Sequence, residues 1–155
     1  MNDPSLGKRT YSYNAFGELM SETNADSLST RYTYDELGRM TRRTDSDGTT
    51  SWNYDVQKKG FLDYSTYEPI NTDAPSVFET YIYDKYGRVT KQTQSIGEEY
   101  NVLTFEYAYN ELGLQSSITY PSGLCVSNNY NYDGFMTSIK NESTKNRNLF
   151  KRIKK

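Results

Sequence analysis

The sequence predicts an all-β protein, built of repeated antiparallel β-hairpins that form one curved, twisted sheet and leave it open rather than closed. Three observations predict it. An aromatic doublet, Y-x-Y, recurs along the chain; each doublet runs into Asn or Asp and then Gly; and no segment sustains the 3.6-residue apolar period of a helix. In a strand, successive side chains alternate between faces, so Y-x-Y places both rings on one side. Asn or Asp then favours a turn by bonding its own backbone, and Gly supplies the positive φ that such a connection needs.

Six copies follow in order. The first has Tyr11, Tyr13 and Gly17, the second Tyr32, Tyr34, Asp35 and Gly38. The third has Trp52, Tyr54, Asp55 and Gly60, with two extra residues before its glycine. The fourth has Tyr81, Tyr83, Asp84 and Gly87, and the fifth Tyr107, Tyr109, Asn110 and Gly113. The sixth aligns on Tyr130 and Tyr132, with a turn tightened to Asp133-Gly134. Successive copies start 21, 20, 29, 26 and 23 residues apart, and 11 of the 16 tyrosines sit in the doublets beside the single tryptophan. Such concentration makes the doublets an organising feature. Two residues past the glycine stands an apolar residue (Leu19, Met40, Leu62 and Val89), with Gln115 in the fifth copy. The return strands are rich in Thr, Arg and Lys. Second turns, such as 45–48 and 121–123, connect one copy to the next. The long spacers 68–79 and 95–101 read as projecting loops. The expected organisation is a lead-in over 1–10, a repeat domain over 11–140 made of roughly twelve strands in a meander, and a basic tail over 141–155.

Composition agrees with this layout. Mean hydropathy is -0.91, yet 15% of the 155 residues are aromatic, which sets the chain apart from disordered sequences. The bulk available for burial is carried by tyrosine, whose hydroxyl needs a hydrogen-bond partner or water, so one face of the fold is expected to stay near solvent. A net charge of -2 gives no reason to expect nucleic acid as a partner. The lone Cys125 excludes a disulfide within the chain. The opening segment shows no apolar core of signal-peptide type, and no stretch approaches the ~18 apolar residues of a membrane span.

The residues offer little for catalysis. There is no histidine, the commonest general base and transition-metal ligand. Cys125, with no histidine to activate it, reads as a structural thiol. Asp35, Asp55, Asp84 and Asp133 each follow the second aromatic of a doublet, where a turn requires them. Asp45-x-Asp47-Gly48 resembles the start of a calcium loop, but the twelfth position is Val56 where that loop needs Glu. Asn141-Glu142-Ser143 fits a glycosylation sequon. No catalytic residue, metal ligand or cofactor is expected. Tyrosine-lined grooves can also stack sugars, while the simpler expectation is that rings of neighbouring hairpins stack on one another at ~0.2–1 kcal/mol per cross-strand pair.

The consensus Y-x-Y-[D/N]-x-x-G-x-φ-x-x-x-T, with φ apolar, resembles the YD repeats of Rhs proteins, of insecticidal Tc toxin shells and of teneurin receptors. Residues 32–39 (YTYDELGR) and 81–88 (YIYDKYGR) carry the likeness most fully. The resemblance spans about residues 11–140. It implies a sheet that spirals into a hollow shell, enclosing a toxic domain in Rhs and Tc proteins and serving adhesion in teneurins. It further implies a non-enzymatic, structural role, in bacterial proteins that are typically secreted or surface-exposed. Full shells of this family use many more repeats, so an open sheet is expected here. Its partners would be further YD-repeat sheet, a second copy of the chain or a toxin cargo. A module that recognises a glycan or a cell-surface receptor through exposed tyrosines and loops is the alternative.

Overall fold

Hairpin formation explains nearly every element of the chain. The computed structural model describes residues 2–3, 7–97 and 102–142; the basic tail from residue 143, the serine of the sequon and most of the spacer after Gly97 lie outside them. Fourteen strands and no helix are found among the described residues. The lead-in already pairs: β1 (Asn2–Asp3) and β2 (Gly7–Lys8) form a small antiparallel sheet of their own. The first three copies supply β3 (Thr10–Tyr13), β4 (Leu19–Thr23), β5 (Ser29–Tyr34), β6 (Met40–Thr44), β7 (Gly48–Tyr54) and β8 (Leu62–Pro69). The last three supply β9 (Val77–Tyr83), β10 (Val89–Ile96), β11 (Val102–Tyr109), β12 (Gln115–Thr119), β13 (Cys125–Tyr130) and β14 (Met136–Asn141). These twelve strands make one sheet in strict sequence order, ending at β3 on one side and β14 on the other. It is all-β, antiparallel and open.

The chain divides into two compact units, residues 1–80 with 95–101, and residues 81–94 with 102–155. Within the first unit each doublet strand and its return strand pair with a shift in register, between Ser12 and Tyr13, Thr33 and Tyr34, and Asn53 and Tyr54. The second unit repeats the shift between Ala108 and Tyr109 and between Asn129 and Tyr130. Each shift is a β-bulge, an extra residue that disrupts the ladder locally and increases the twist. It brings the second aromatic opposite the residue two past the glycine: Tyr13 faces Leu19, Tyr34 faces Met40 and Tyr109 faces Gln115.

The turns are built as their residues require. Asp35 N donates to Arg39 O at 2.9 Å and Gly38 N to Asp35 O at 3.0 Å, with Gly38 at φ 75°. That is the three-residue hairpin loop in which a left-handed residue closes a type I turn. Asp35 Oδ1 also accepts the amides of Leu37 and Arg39, both at 2.9 Å. The connection at Asn24 reuses this geometry, with Ser27 at φ 65° where the doublet turns have glycine.

The spacer over 68–79 is shorter as a loop than expected. Glu68 and Pro69 continue β8 by pairing with Thr49 and Gly48, and β9 already begins at Val77, leaving only 70–76 outside strands. Strand residues opposite the spacer were available as partners, so the ladder simply extended.

No apolar side chain is buried among the described residues; the buried positions are Gly48, Asp63 and Ser65. Half-buried tyrosines stand in for a core on one face. The other face, in the first unit, carries hydroxyls bonded across the strands: Ser12 to Ser21 at 2.7 Å, Thr23 to Ser29 at 2.8 Å, Thr33 to Thr41 at 3.0 Å and Thr44 to Thr49 at 3.2 Å. Gly48 is needed for space, since a Cβ there would lie 2.5 Å from Glu68 O and 2.7 Å from the Tyr67 ring. Gly48→Ala is expected to cost roughly 1–3 kcal/mol by overpacking, read as a lower midpoint in urea unfolding.

Candidate interaction surface

The tyrosine face is the part of the chain where side chains converge. In four copies the second aromatic reaches back to the preceding hairpin and donates its hydroxyl to the main-chain carbonyl of the residue two past the glycine. Tyr34 bonds Leu19 O at 2.9 Å, Tyr54 bonds Met40 O at 3.0 Å, Tyr109 bonds Val89 O at 2.8 Å and Tyr130 bonds Gln115 O at 2.8 Å. The first aromatic lies over the side chain three residues further on: Tyr32 donates to Glu22 at 2.8 Å and Tyr107 to Gln92 at 3.1 Å. Burial, then the Glu22 bond, raises the Tyr32 pKa; burial likewise raises Tyr54 and Tyr107. The hydroxyls are thereby held as neutral donors.

Arginine clasps this lattice. Arg39 sits 4.4 Å above the Tyr54 ring, bonds Asp35 through Nε at 2.7 Å and grips both oxygens of Asp55 at 2.5 and 3.1 Å. It therefore ties the second turn to the third. Arg88 repeats the arrangement on Asp84 at 2.6 Å and on the Tyr109 ring at 4.4 Å, and also faces Tyr86 at 5.0 Å. In the first copy Asn14 and Glu18 make the corresponding turn contact at 2.6 Å. Arg39, followed by the Gly60 amide, lowers the Asp55 carboxyl to about 2. Partial burial alone would raise Asp35 and Asp84, but the amides and guanidinium of Arg39 and Arg88 outweigh it and lower both.

The third copy accommodates its two extra residues through Asp63, whose carboxylate accepts the amides of Val56 at 2.6 Å and Gln57 at 2.8 Å. Asp63 is only 3% exposed, so these bonds are what make its burial tolerable. Asp45 directs its carboxylate to the amides of Asp47 and Gly48 and to Arg43 at 2.7 Å, all within its own hairpin.

The sixth copy is placed differently from its sequence alignment. Gly134 N donates to Asn131 O at 3.1 Å, and Asn131 Oδ1 accepts the Phe135 amide at 2.8 Å. Asn131 is thus the turn residue, at the usual three-residue distance from Gly134, and the turn is not tightened. Tyr130 is the second aromatic, Asn128 occupies the first aromatic position, and Met136 stands two past the glycine. Tyr132 and Asp133 are turn-tip residues, with Tyr132 99% exposed. Asn128 Nδ2 adds a bond to Gln115 O at 3.1 Å, a polar replacement for the missing ring.

Tyr11, Tyr13, Tyr81, Tyr83 and Trp52 lie on the doublet strands, and Gly17, Gly38, Gly60, Gly87, Gly113 and Gly134 all take positive φ at the turns. The Tyr64 and Phe78 rings, 5.6 Å apart, and those of Phe105 and Tyr120, 6.1 Å apart, meet outside the doublets. Tyr34, Tyr54, Tyr109 and Tyr130 are held by hydroxyl–carbonyl bonds, and the Tyr54 and Tyr109 rings by guanidinium groups as well, where ring stacking had been expected. The third residue of a turn is often apolar and exposed: Phe16 at 90% and Leu37 at 75%, which border an open cleft of about 580 Å³ with Tyr34 and Glu18. Cys125 is half-buried on β13 and belongs to no disulfide. Among the described residues no group of three His, Cys, Asp or Glu is placed to hold a metal, and no helix is long and apolar enough to cross a membrane.

A tandem array of β-hairpins, each anchored to its predecessor by an aromatic doublet, defines a hairpin-repeat protein. Residues 13–50 match the family model of the RHS repeat. A Tc holotoxin pore from Photorhabdus luminescens, carrying a substituted TccC3, resembles it with TM-score 0.60 at 18% identity over 86% of this chain and 9% of that one. A TcdB2–TccC3–Cdc42 crystal structure gives 0.49 at 12% identity, covering 88% of this chain and 9% of that one. The first likeness shows a shared fold. No curated protein matches the chain by sequence.

Removing one hydroxyl should cost about 0.5–1.5 kcal/mol, so Tyr34→Phe and Tyr109→Phe are each expected to lower the urea midpoint while leaving the β circular dichroism intact. Asp55 has its carboxyl lowered in the fold, so the unfolded chain binds more protons between pH 3.8 and about 2. Its stabilisation is full above that window and is lost as pH falls through it. Melting temperature should therefore drop with acid across the window, and Arg39→Ala should flatten that dependence.

Proposed function

We propose that the chain is a non-enzymatic structural segment of a YD-repeat shell that encapsulates or presents a toxin or effector. The hydroxyl–carbonyl lock between successive hairpins carries this reading. It directs the phenols of the doublets to holding one hairpin on the next. The turn carboxylates are likewise engaged: Asp35, Asp55 and Asp84 bind amides and guanidinium groups, an arrangement suited to stiffening a wall. Similarity of fold to Tc toxin components supports the same direction.

A second reading, a recognition module for carbohydrate or a receptor, is favoured by the exposed turn tips. Phe16 and Leu37 in the first unit, and Tyr86 at 71%, Leu112 at 69% and Tyr132 at 99% in the second, offer apolar or aromatic surface to a ligand.

Affinity-tagged chain, recovered from the cells that make it, should copurify with a protein bearing YD repeats or a toxin domain. Absence of both, together with glycan-array binding lost in Phe16→Ala and Tyr132→Ala, would overturn the shell reading in favour of recognition.

A further inference from the structure

The two ends of the sheet are unlike, and each lacks what the other has. On β3, Tyr11 is 38% and Tyr13 61% exposed, and neither hydroxyl has a hydrogen-bond partner among the described residues. They are the only doublet with no preceding hairpin in the sheet order to reach back to. On β14, Met136 occupies the position whose carbonyl, in Leu19, Met40, Val89 and Gln115, accepts the tyrosine of the following copy. No tyrosine hydroxyl of the described residues reaches Met136 O. Ile139 stands three residues on, where Glu22 and Gln92 receive the first aromatic. Met136 is 51% and Ile139 63% exposed, on a strand with one neighbour among the described residues.

We infer that these edges are complementary and that a second copy of this chain docks head to tail, its β3 adding to β14. The contact rests on the structural-segment reading above and names its partner. It would repeat between molecules the junction that already joins consecutive copies, as in β4 with β5. Register follows from the junctions already present. The residue two past the bulge carbonyl pairs with the one before the first aromatic: Ser21 with Arg31, Arg42 with Ser51, Ser117 with Ser127. By the same rule Ser138 pairs with Thr10 of the second copy, Tyr13 donates to Met136 O and the Tyr11 ring covers Ile139. Unpaired edge groups favour such strand addition. Because the two surfaces differ, the contact is heterologous and continues past two copies unless a ring closes.

Sedimentation velocity over a concentration series tests it with three chains. Wild type should grow in mass with concentration. Tyr11→Ala/Tyr13→Ala, lacking the donor edge, and Met136→Lys/Ile139→Lys, with charges on the acceptor edge, should each remain at 18.0 kDa. Mixed in equal amounts, the two variants retain one good edge apiece and should form a species of two chains and no larger. Tyr13→Phe, which keeps the ring, should weaken wild-type association about fivefold. Association of either double variant alone, or a mixture that stays monomeric while both variants keep cooperative β melting, would overturn the head-to-tail contact. A monomeric wild type with that same melting would overturn it too, and would leave the structural-segment reading standing.

Discussion

The fold depends on a hydrogen bond between a phenol and a peptide oxygen. With no apolar side chain fully buried among the described residues, apolar burial is spread over half-buried rings, and this bond sets where each ring sits on its neighbour. The bulge interrupts the ladder beside the residue two past the glycine, and Tyr34, Tyr54, Tyr109 and Tyr130 bond the carbonyl there. The ring covers apolar surface while its hydroxyl satisfies the backbone, the two requirements of a half-buried tyrosine. Bulge and tyrosine therefore belong to one device. A hairpin without the bulge would lack the site, and a doublet ending in phenylalanine would lack the donor.

Electrostatics adds a second tier where the residues permit. Arg39 reaches from its own turn to Asp55 in the next, with the Tyr54 ring beneath it. Arg88 clasps Asp84 and covers Tyr109, but its neighbouring turn has Asn110, so no second carboxylate joins. The lattice is thus stiffened unevenly along the chain. Charge reinforces what the hydroxyl bonds establish and does not replace them.

Local features were the legible ones. Y-x-Y-D-x-x-G marks strand, turn and glycine within seven residues, so the hairpins and their sequential order could be read directly. The bulge acceptor could not, because it is main chain and leaves no side-chain signature; it also explains why Gln115 serves where Leu19 and Met40 serve. The last copy misled through chemistry: Tyr132 beside Asp133 mimics the doublet, whereas Asn128, the residue in the aromatic position, has no ring to announce it. The signal that could have resolved it was the N-x-x-G spacing from Asn131 to Gly134. The apparent loop over 68–79 was misjudged because extra strand length depends on partners far away in sequence. The G-R dipeptides after the second and fourth turns hinted at Arg39 and Arg88, but only folding places Asp55 beside the former.

A peptide oxygen is present at every position whatever residue occupies it. Coupling between hairpins therefore asks little of the residue contributing the acceptor, and two neighbours need not change in concert to remain joined. Such an architecture can be lengthened by duplicating a segment of DNA and can drift widely afterwards, provided each unit retains its phenol and its kink. A sheet of this type is built from interchangeable courses, and its span is set by how many are laid.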